Sequence, residues 1–142
     1  MKNWLVYLLA GALIFSGCKD DDEDPVPAPV SNCVAGKGDS LSLNIRTVHH
    51  TRPVSGCKVY IKYNTNSFPG EITSVYDDSL QIPNDTVAGT FSGLKCGKYY
   101  LYATGIDSLL DPTVWIVKGG IPFSTEYNDT TLNVSVYVTE GD

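Results

Sequence analysis

Alternation of apolar and polar residues with a period of two is the feature that most constrains what this chain can fold into. The pattern runs through residues 41–46, 57–63, 99–103 and 132–138. Because successive side chains of a β-strand point to opposite faces, each segment presents one apolar face and one polar face. Glycine and proline interrupt the pattern, and no stretch repeats with the period of an amphipathic helix. The sequence therefore predicts an all-β fold.

We predict a single antiparallel β-sandwich of about seven strands, because short alternating segments separated by turns are typical of that architecture. The predicted strands are 41–45, 57–63, 72–76, 79–82, 99–103, 114–117, 121–123 and 132–139. Residues 49–56 are expected to form a loop or corner, since Pro53 and Gly56 interrupt strand pairing. About 100 structured residues are enough for one two-layer core but not for two domains.

The charge distribution excludes one class of partner. The chain of 142 residues carries a formal net charge of -6. Residues 19–24 alone hold one Lys and five acidic residues, and after residue 30 eight Lys or Arg stand against eleven Asp or Glu. No basic face results, so nucleic acid is not an expected partner.

The N-terminal residues have the pattern of a secretion signal. Lys2 precedes an apolar stretch from Trp4 to Phe15 that is too short to span a bilayer, and small residues then lead to Cys18. This resembles the lipobox of bacterial lipoproteins, in which the Cys is acylated and becomes the new N-terminus, although Phe15 stands where Leu is usual. An ordinary secretory signal or a short membrane anchor are the alternatives. Acyl chains on Cys18 would anchor the protein to a membrane, since each buried methylene contributes about 0.8 kcal/mol.

The residues after Cys18 indicate where the protein is sorted. The run Lys-Asp-Asp-Asp-Glu-Asp at 19–24 resembles the surface-export signal of Bacteroidota-type lipoproteins. The resemblance implies an outer-membrane location facing the cell exterior, whereas a solvated spacer is the alternative. Residues 25–30 are a proline-rich linker. The expected organisation is a signal peptide over 1–17, a lipidated tether over 18–39 and a β-sandwich domain over 40–142.

Two segments of the domain are similar to those of a known structural group. Residues 53–61 read PVSGCKVYI and residues 93–101 read GLKCGKYYL. Together they resemble the prealbumin-like (transthyretin-like) sandwiches, namely the carboxypeptidase regulatory-like and collagen-adhesin B-type repeats. The resemblance spans roughly residues 40–140 and implies a fold, but it implies very little about function.

The remaining cysteines are interpreted on that resemblance. With Cys18 lipidated, an oxidising compartment allows one disulfide among the other three. The prealbumin-like topology brings the start of the first strand and the turn before Tyr99 to one end of the sandwich, which implies a Cys33–Cys96 bond and leaves Cys57 as a buried free thiol. A Cys57–Cys96 bond and the absence of any bond stay open as alternatives.

Catalytic and metal-binding patterns are weak in this sequence. The two histidines, His49 and His50, are adjacent, so on a strand they should point to opposite faces and not bind one ion together. The widely spaced cysteines do not match a zinc site, and no serine lies in a Gly-x-Ser-x-Gly elbow. We therefore expect no catalytic residue, no metal site and no cofactor, and we expect that the protein is not an enzyme.

Two further sets of residues are candidates for modification and binding. Five tripeptides resemble the O-glycosylation signal of the same bacterial group; they centre on Ser40, Ser79, Thr86, Ser108 and Thr130. Tyr60, Tyr100 and Tyr102 should share an outward face, where exposed rings could stack on a glycan or pack on a protein partner, or merely pair across strands. The sequence thus predicts a membrane-anchored binding or accessory module; the alternative is a structural spacer or a subunit of an envelope, pilus-like or polysaccharide-uptake assembly.

Overall fold

The computed structural model describes residue 29, residues 32–108 and residues 114–141. These residues form nine strands and one short 3-10 helix, with no α-helix among them. The strands are β1 (Lys37–His49), β2 (Arg52–Val54), β3 (Lys58–Tyr63), β4 (Asp78–Gln81), β5 (Gly89–Leu94), β6 (Gly97–Asp107), β7 (Trp115–Thr125), β8 (Thr131–Tyr137) and β9 (Thr139–Glu140). In this part of the chain, no helix has the length and apolar character needed to cross a bilayer.

The strands form two sheets, consistent with the predicted β-sandwich. In the first sheet, β1 pairs with β8 along one edge and with β5 and β2 along the other. The second sheet has the order β4-β3-β6-β7-β9 and is antiparallel throughout. Both sheets contribute side chains to one core, and β6 supplies the fully buried Tyr99, Leu101 and Ala103 on alternate positions. The alternation read from the sequence therefore identified the inward faces correctly.

The first sheet differs from the predicted antiparallel arrangement. β8 runs parallel to β1, with Ser42 opposite Thr131 and Val48 opposite Tyr137. Residues 49–56 are not only a corner, because β2 pairs with the end of β1 and places Pro53 opposite Val48. Proline is tolerated there since β2 lies at the edge of the sheet, where a missing N–H costs no ladder hydrogen bond.

Four of the predicted strands differ from the structure. The segment 72–76 is not a strand, because Thr73–Val75 forms a 3-10 turn. The predicted strands 114–117 and 121–123 are one strand, β7, because β6 offers it a continuous partner. The predicted strand 132–139 is interrupted at Val138, where the chain leaves the first sheet and adds β9 to the second.

A disulfide joins Cys33 to Cys96 and closes the start of the domain onto the turn before β6. Cys57 is a buried free thiol. Burial raises the pKa of Cys57, a hydrogen bond with Thr47 lowers it, and the charge of Asp107 raises it further. The described structure extends upstream of residue 40, the predicted start of the domain.

Candidate functional site

Five aromatic side chains gather on the outer face of the second sheet and are called the aromatic surface here. They are Tyr60, Phe68, Tyr76, Tyr100 and Tyr102. The ring centroid of Phe68 lies 5.6 Å from those of both Tyr100 and Tyr102. Tyr76 stacks on Tyr102 at 5.8 Å with an interplanar angle of 21°. These separations are those of favourable aromatic pairs.

The strand register explains why the three predicted tyrosines share this face. Tyr60 lies directly opposite Tyr102 in the pairing of β3 with β6, and Tyr100 is two residues from Tyr102 on the same strand. Their neighbours Val59 and Leu101 point the other way and are fully buried. The predicted sharing of a face thus matches the geometry, since alternation along each strand fixes it.

The predicted exposed row of tyrosines differs from the structure in one respect. Tyr102 is only 5% exposed, because Phe68 and Tyr76 lie over it. Phe68 is 50% exposed and is the most accessible ring of the surface, whereas Tyr60 and Tyr100 are half-buried. Sequence reasoning missed Phe68 and Tyr76, which belong to the connection between β3 and β4; the Pro-Gly turn after Phe68 was the only signal that this connection folds back.

Polar contacts hold that connection against the sheet. The Tyr76 hydroxyl donates a hydrogen bond to the Gly70 carbonyl at 2.8 Å. Asp77 accepts a hydrogen bond from the Tyr63 backbone N–H at 2.7 Å and forms an ion pair with Lys62 at 3.0 Å. These contacts fix both ends of the stretch that carries Phe68, so the ring is positioned rather than free.

A hollow of about 270 Å³ lies beside the aromatic surface. Its wall combines the rings of Phe68 and Tyr100 with an ion pair in which the Lys118 ammonium lies 3.0 Å from a Glu71 carboxylate oxygen. A Cβ on Gly120 would lie 2.8 Å from the Tyr100 ring, so only glycine allows that ring to lie so close to the strand. The hollow therefore offers flat apolar faces next to strong hydrogen-bonding groups.

The hydroxyls of Tyr76, Tyr100 and Tyr102 resist ionisation. Burial is the main cause that raises the pKa of Tyr76 to about 12, and the nearby Tyr100, Tyr102 and Glu71 raise it as well. Burial also raises the pKa of Tyr100 and of Tyr102. These three phenols therefore stay neutral hydrogen-bonding groups at ordinary pH.

A larger groove of about 580 Å³ lies at the disulfide end of the domain. Its lining includes Cys33, Phe123, Tyr127 and Leu132. It is distinct from the hollow beside the aromatic surface, because the two share no lining residue. This groove is the competing location for a ligand.

The two histidines form a polar cluster at the end of β1, apart from the aromatic surface. His49 is buried, and its Nδ1 lies 2.8 Å from an oxygen of the buried Asp107. His50 Nε2 lies 2.8 Å from Glu140 Oε1, and His49 Nε2 lies 3.4 Å from the same oxygen. The expectation that the histidines point to opposite faces was wrong, because β1 ends at His49 and His50 has a φ of 44° that turns its ring back. Their ring centroids are 4.2 Å apart.

Glu140 supplies an exposed carboxylate to this cluster. Its hydrogen bond with His50 is the main cause that lowers its pKa to about 2, and a smaller contribution comes from His49. The residue comes from β9 in the second sheet, whereas both histidines belong to the region where β1 of the first sheet ends. Only the packing of the two sheets could bring these three side chains together.

The remaining predicted sites fall into two groups. Of the predicted O-glycosylation residues, four are exposed and Thr130 is half-buried; the exposed ones are Ser40, Ser79, Thr86 and Ser108. Ser79 lies opposite Tyr60 in the pairing of β3 with β4, next to the aromatic surface. The predicted signal peptide, the lipidated Cys18 and the tether before residue 29 lie outside the described residues.

No model of a known protein family matches the chain, and a search of curated proteins returned no match.

Proposed function

We propose that this protein is a lipoprotein anchored at the exterior face of an outer membrane, where its prealbumin-like sandwich acts as a non-catalytic module that binds a glycan through the aromatic surface. The observation that carries the binding proposal is the half-exposed ring of Phe68, fixed over Tyr100 and Tyr102 beside the Glu71–Lys118 ion pair.

The anchoring half of the proposal is supported by the sequence. The apolar stretch after Lys2, the small residues before Cys18 and the acidic run at 19–24 together resemble an exported lipoprotein signal. A chain held this way carries its sandwich on a proline-rich segment, and proline-rich linkers in general act as semi-rigid spacers. The domain would then be free to meet ligands outside the cell.

The glycan is favoured by the combination of groups around the hollow. A sugar ring has an apolar face and a rim of hydroxyls, so it needs a flat apolar platform with hydrogen-bonding groups at its edge. Phe68 and Tyr100 supply the platform, and the carboxylate of Glu71 and the ammonium of Lys118 supply an acceptor and a donor. The ion pair is partly exposed, with side-chain exposures of 31% for Lys118 and 56% for Glu71, so a ligand hydroxyl can compete for it at little cost.

The non-catalytic character is supported by the state of the reactive groups. Cys57 is fully buried, and burial raises the pKa of its thiol, so the nucleophilic thiolate is disfavoured. His49 is buried with its Nδ1 against Asp107, and its other nitrogen faces Glu140 rather than a hydroxyl or thiol. None of these groups lies in the wall of the hollow beside the aromatic surface.

A glycan array followed by calorimetry with any glycan retained would test the binding proposal. Phe68→Ala and Tyr100→Ala should each weaken binding about thirtyfold, because truncating a central aromatic contact costs roughly 2 kcal/mol. Tyr137→Ala is the matched control, since Tyr137 is 63% exposed on the other sheet. Tyr127→Ala probes the groove at the disulfide end.

Unchanged affinity after both Phe68→Ala and Tyr100→Ala would refute the role of the aromatic surface. If only Tyr127→Ala abolished binding, the ligand would bind in the groove at the disulfide end. That result would also refute the role of the aromatic surface. If the array retained no glycan and a protein ligand bound instead through Phe68, the glycan would be refuted as the ligand. The aromatic surface would remain the proposed binding site.

Mass spectrometry of the mature chain tests the anchoring proposal separately. The expected N-terminus is an acylated Cys18, and Cys18→Ser should release the chain from the membrane fraction. Protease added to intact cells should cleave the wild-type domain if it faces the exterior. A mature chain that keeps Met1, or an unmodified Cys18, would overturn the proposed location without bearing on the aromatic surface.

A further inference from the structure

His49, His50 and Glu140 place three potential metal-ligating atoms within 4.8 Å of one another. None of the three belongs to the aromatic surface or to its hollow. His50 and Glu140 are largely exposed, with side-chain exposures of 60% and 44%, whereas His49 is 2% exposed. The cluster is therefore anchored by one buried ligand and open to solvent on the side of the other two.

The buried histidine is oriented by the residue behind it. The Asp107 carboxyl lies 2.8 Å from His49 Nδ1, and since an ionised carboxylate can only accept, this contact favours the tautomer with the proton on Nδ1. In the neutral ring the lone pair then lies on Nε2, which makes no hydrogen bond with any described residue although it is buried. A carboxylate behind a histidine in this way is the usual arrangement of metal-ligating histidines.

We propose that these three side chains bind one divalent ion of the zinc class, with Asp107 as the positioning residue. Imidazole and carboxylate donors without thiolate suit such an ion, and two histidines with one glutamate leave a fourth position for water. Ligands about 2.1 Å from a tetrahedral zinc lie roughly 3.4 Å from each other. His49 Nε2 and Glu140 Oε1 are already separated by 3.4 Å.

His50 has to move for this geometry. Its Nε2 is 2.8 Å from Glu140 Oε1, which is a hydrogen-bond distance rather than a separation between ligands of one ion. Because the His50 side chain is exposed, it can exchange that hydrogen bond for a metal bond by a small rotation. Binding would displace the proton between His50 and Glu140, and that proton would pass to solvent.

The ion would join the two sheets at one end of the domain. His49 ends β1 of the first sheet, and Glu140 belongs to β9 of the second. The site lies at the end of β6 marked by Asp107, whereas the disulfide lies next to Gly97 at the other end. A bound ion would therefore stabilise the sandwich where no covalent bond does so among the described residues.

The test uses the intact chain, stripped of metal with a chelator and titrated with Zn²⁺ against a chromophoric competitor. We expect one Zn²⁺ per chain and a higher melting temperature with Zn²⁺ than without. His50→Ala and Glu140→Gln should each weaken Zn²⁺ binding at least tenfold, since loss of an outer-shell partner alone costs about 10–100-fold. Both residues are exposed, so these variants should fold even if a His49 variant does not.

Glu126→Gln is the matched control, because Glu126 is an exposed carboxylate at the disulfide end, and it should bind Zn²⁺ like the wild type. Zn²⁺ binding that survives both His50→Ala and Glu140→Gln would place the ion elsewhere, for example on the acidic run at 19–24, and overturn the proposal. A wild-type chain that shows no saturable Zn²⁺ binding would overturn it as well.

Discussion

Removal of the disulfide should cost this domain a large part of its stability. Cys33 and Cys96 are 63 residues apart in the sequence, so their bond closes a long loop in the unfolded chain. For a loop of that length, the lost chain entropy corresponds to about 4 kcal/mol at 25 °C. Small domains have a total free energy of unfolding of about 5–15 kcal/mol, so the double variant Cys33→Ser, Cys96→Ser should be marginal.

The effect should be read as a shift in urea midpoint and in melting temperature. For a domain of this size, about 4 kcal/mol corresponds to a fall in melting temperature of roughly 15–30 °C. Wild-type protein with reductant should match the double variant, and reductant should not affect the variant itself. The side chain at position 96 is almost fully buried, so the double variant also buries a serine hydroxyl. The reduced wild type lacks that serine, and comparing the two therefore isolates the effect of losing the bond.

We expect that contacts near the disulfide do not account for this loss of stability. The segment before β1 keeps other contacts, since Lys95 N–H donates to the Gly36 carbonyl at 2.9 Å and Asn64 donates to the Ala35 carbonyl at 3.1 Å. A loss below about 1 kcal/mol in both conditions would refute the loop-closure argument. It would mean that the unfolded chain is already restrained, or that these contacts alone hold the segment.

Three further outcomes follow from particular residues. Cys57 is fully buried with a raised pKa, so it should react with a thiol reagent only after unfolding, and rapid reaction in the native chain would contradict its burial. The folded-state pKa of Tyr76 is about 12 against an ordinary 10.0, so the unfolded chain loses that proton first; urea melts should show the free energy of unfolding falling between about pH 10 and pH 12, less steeply for Tyr76→Phe. Gly119→Ala should lower the melting temperature because its Cβ would lie 2.2 Å from the Tyr137 carbonyl oxygen, whereas Gly36→Ala, which meets nothing within 4 Å, should not.

The lipoprotein half of the proposal depends on the sequence alone. The proposed signal peptide, the proposed lipidation of Cys18 and the charged tether are inferred from local composition, and such segments do not depend on a fold. Inside the domain, alternation was equally informative, because covalent geometry sends neighbouring strand residues to opposite faces. It correctly assigned Val59 and Leu101 to the core and Tyr60 and Tyr102 to the outer face.

What the sequence did not determine depended on contacts between distant segments. The parallel pairing of β8 with β1 joins residues such as Asn44 and Asn133, which are 89 positions apart, and no local pattern specifies such a partner. The same holds for the sites. Phe68 lies over Tyr102 because a connection folds back on the sheet, and His49 meets Glu140 because two sheets pack together. Alternation reports only which face a side chain takes, whereas the neighbours on that face are chosen by the free energy of the whole packed chain.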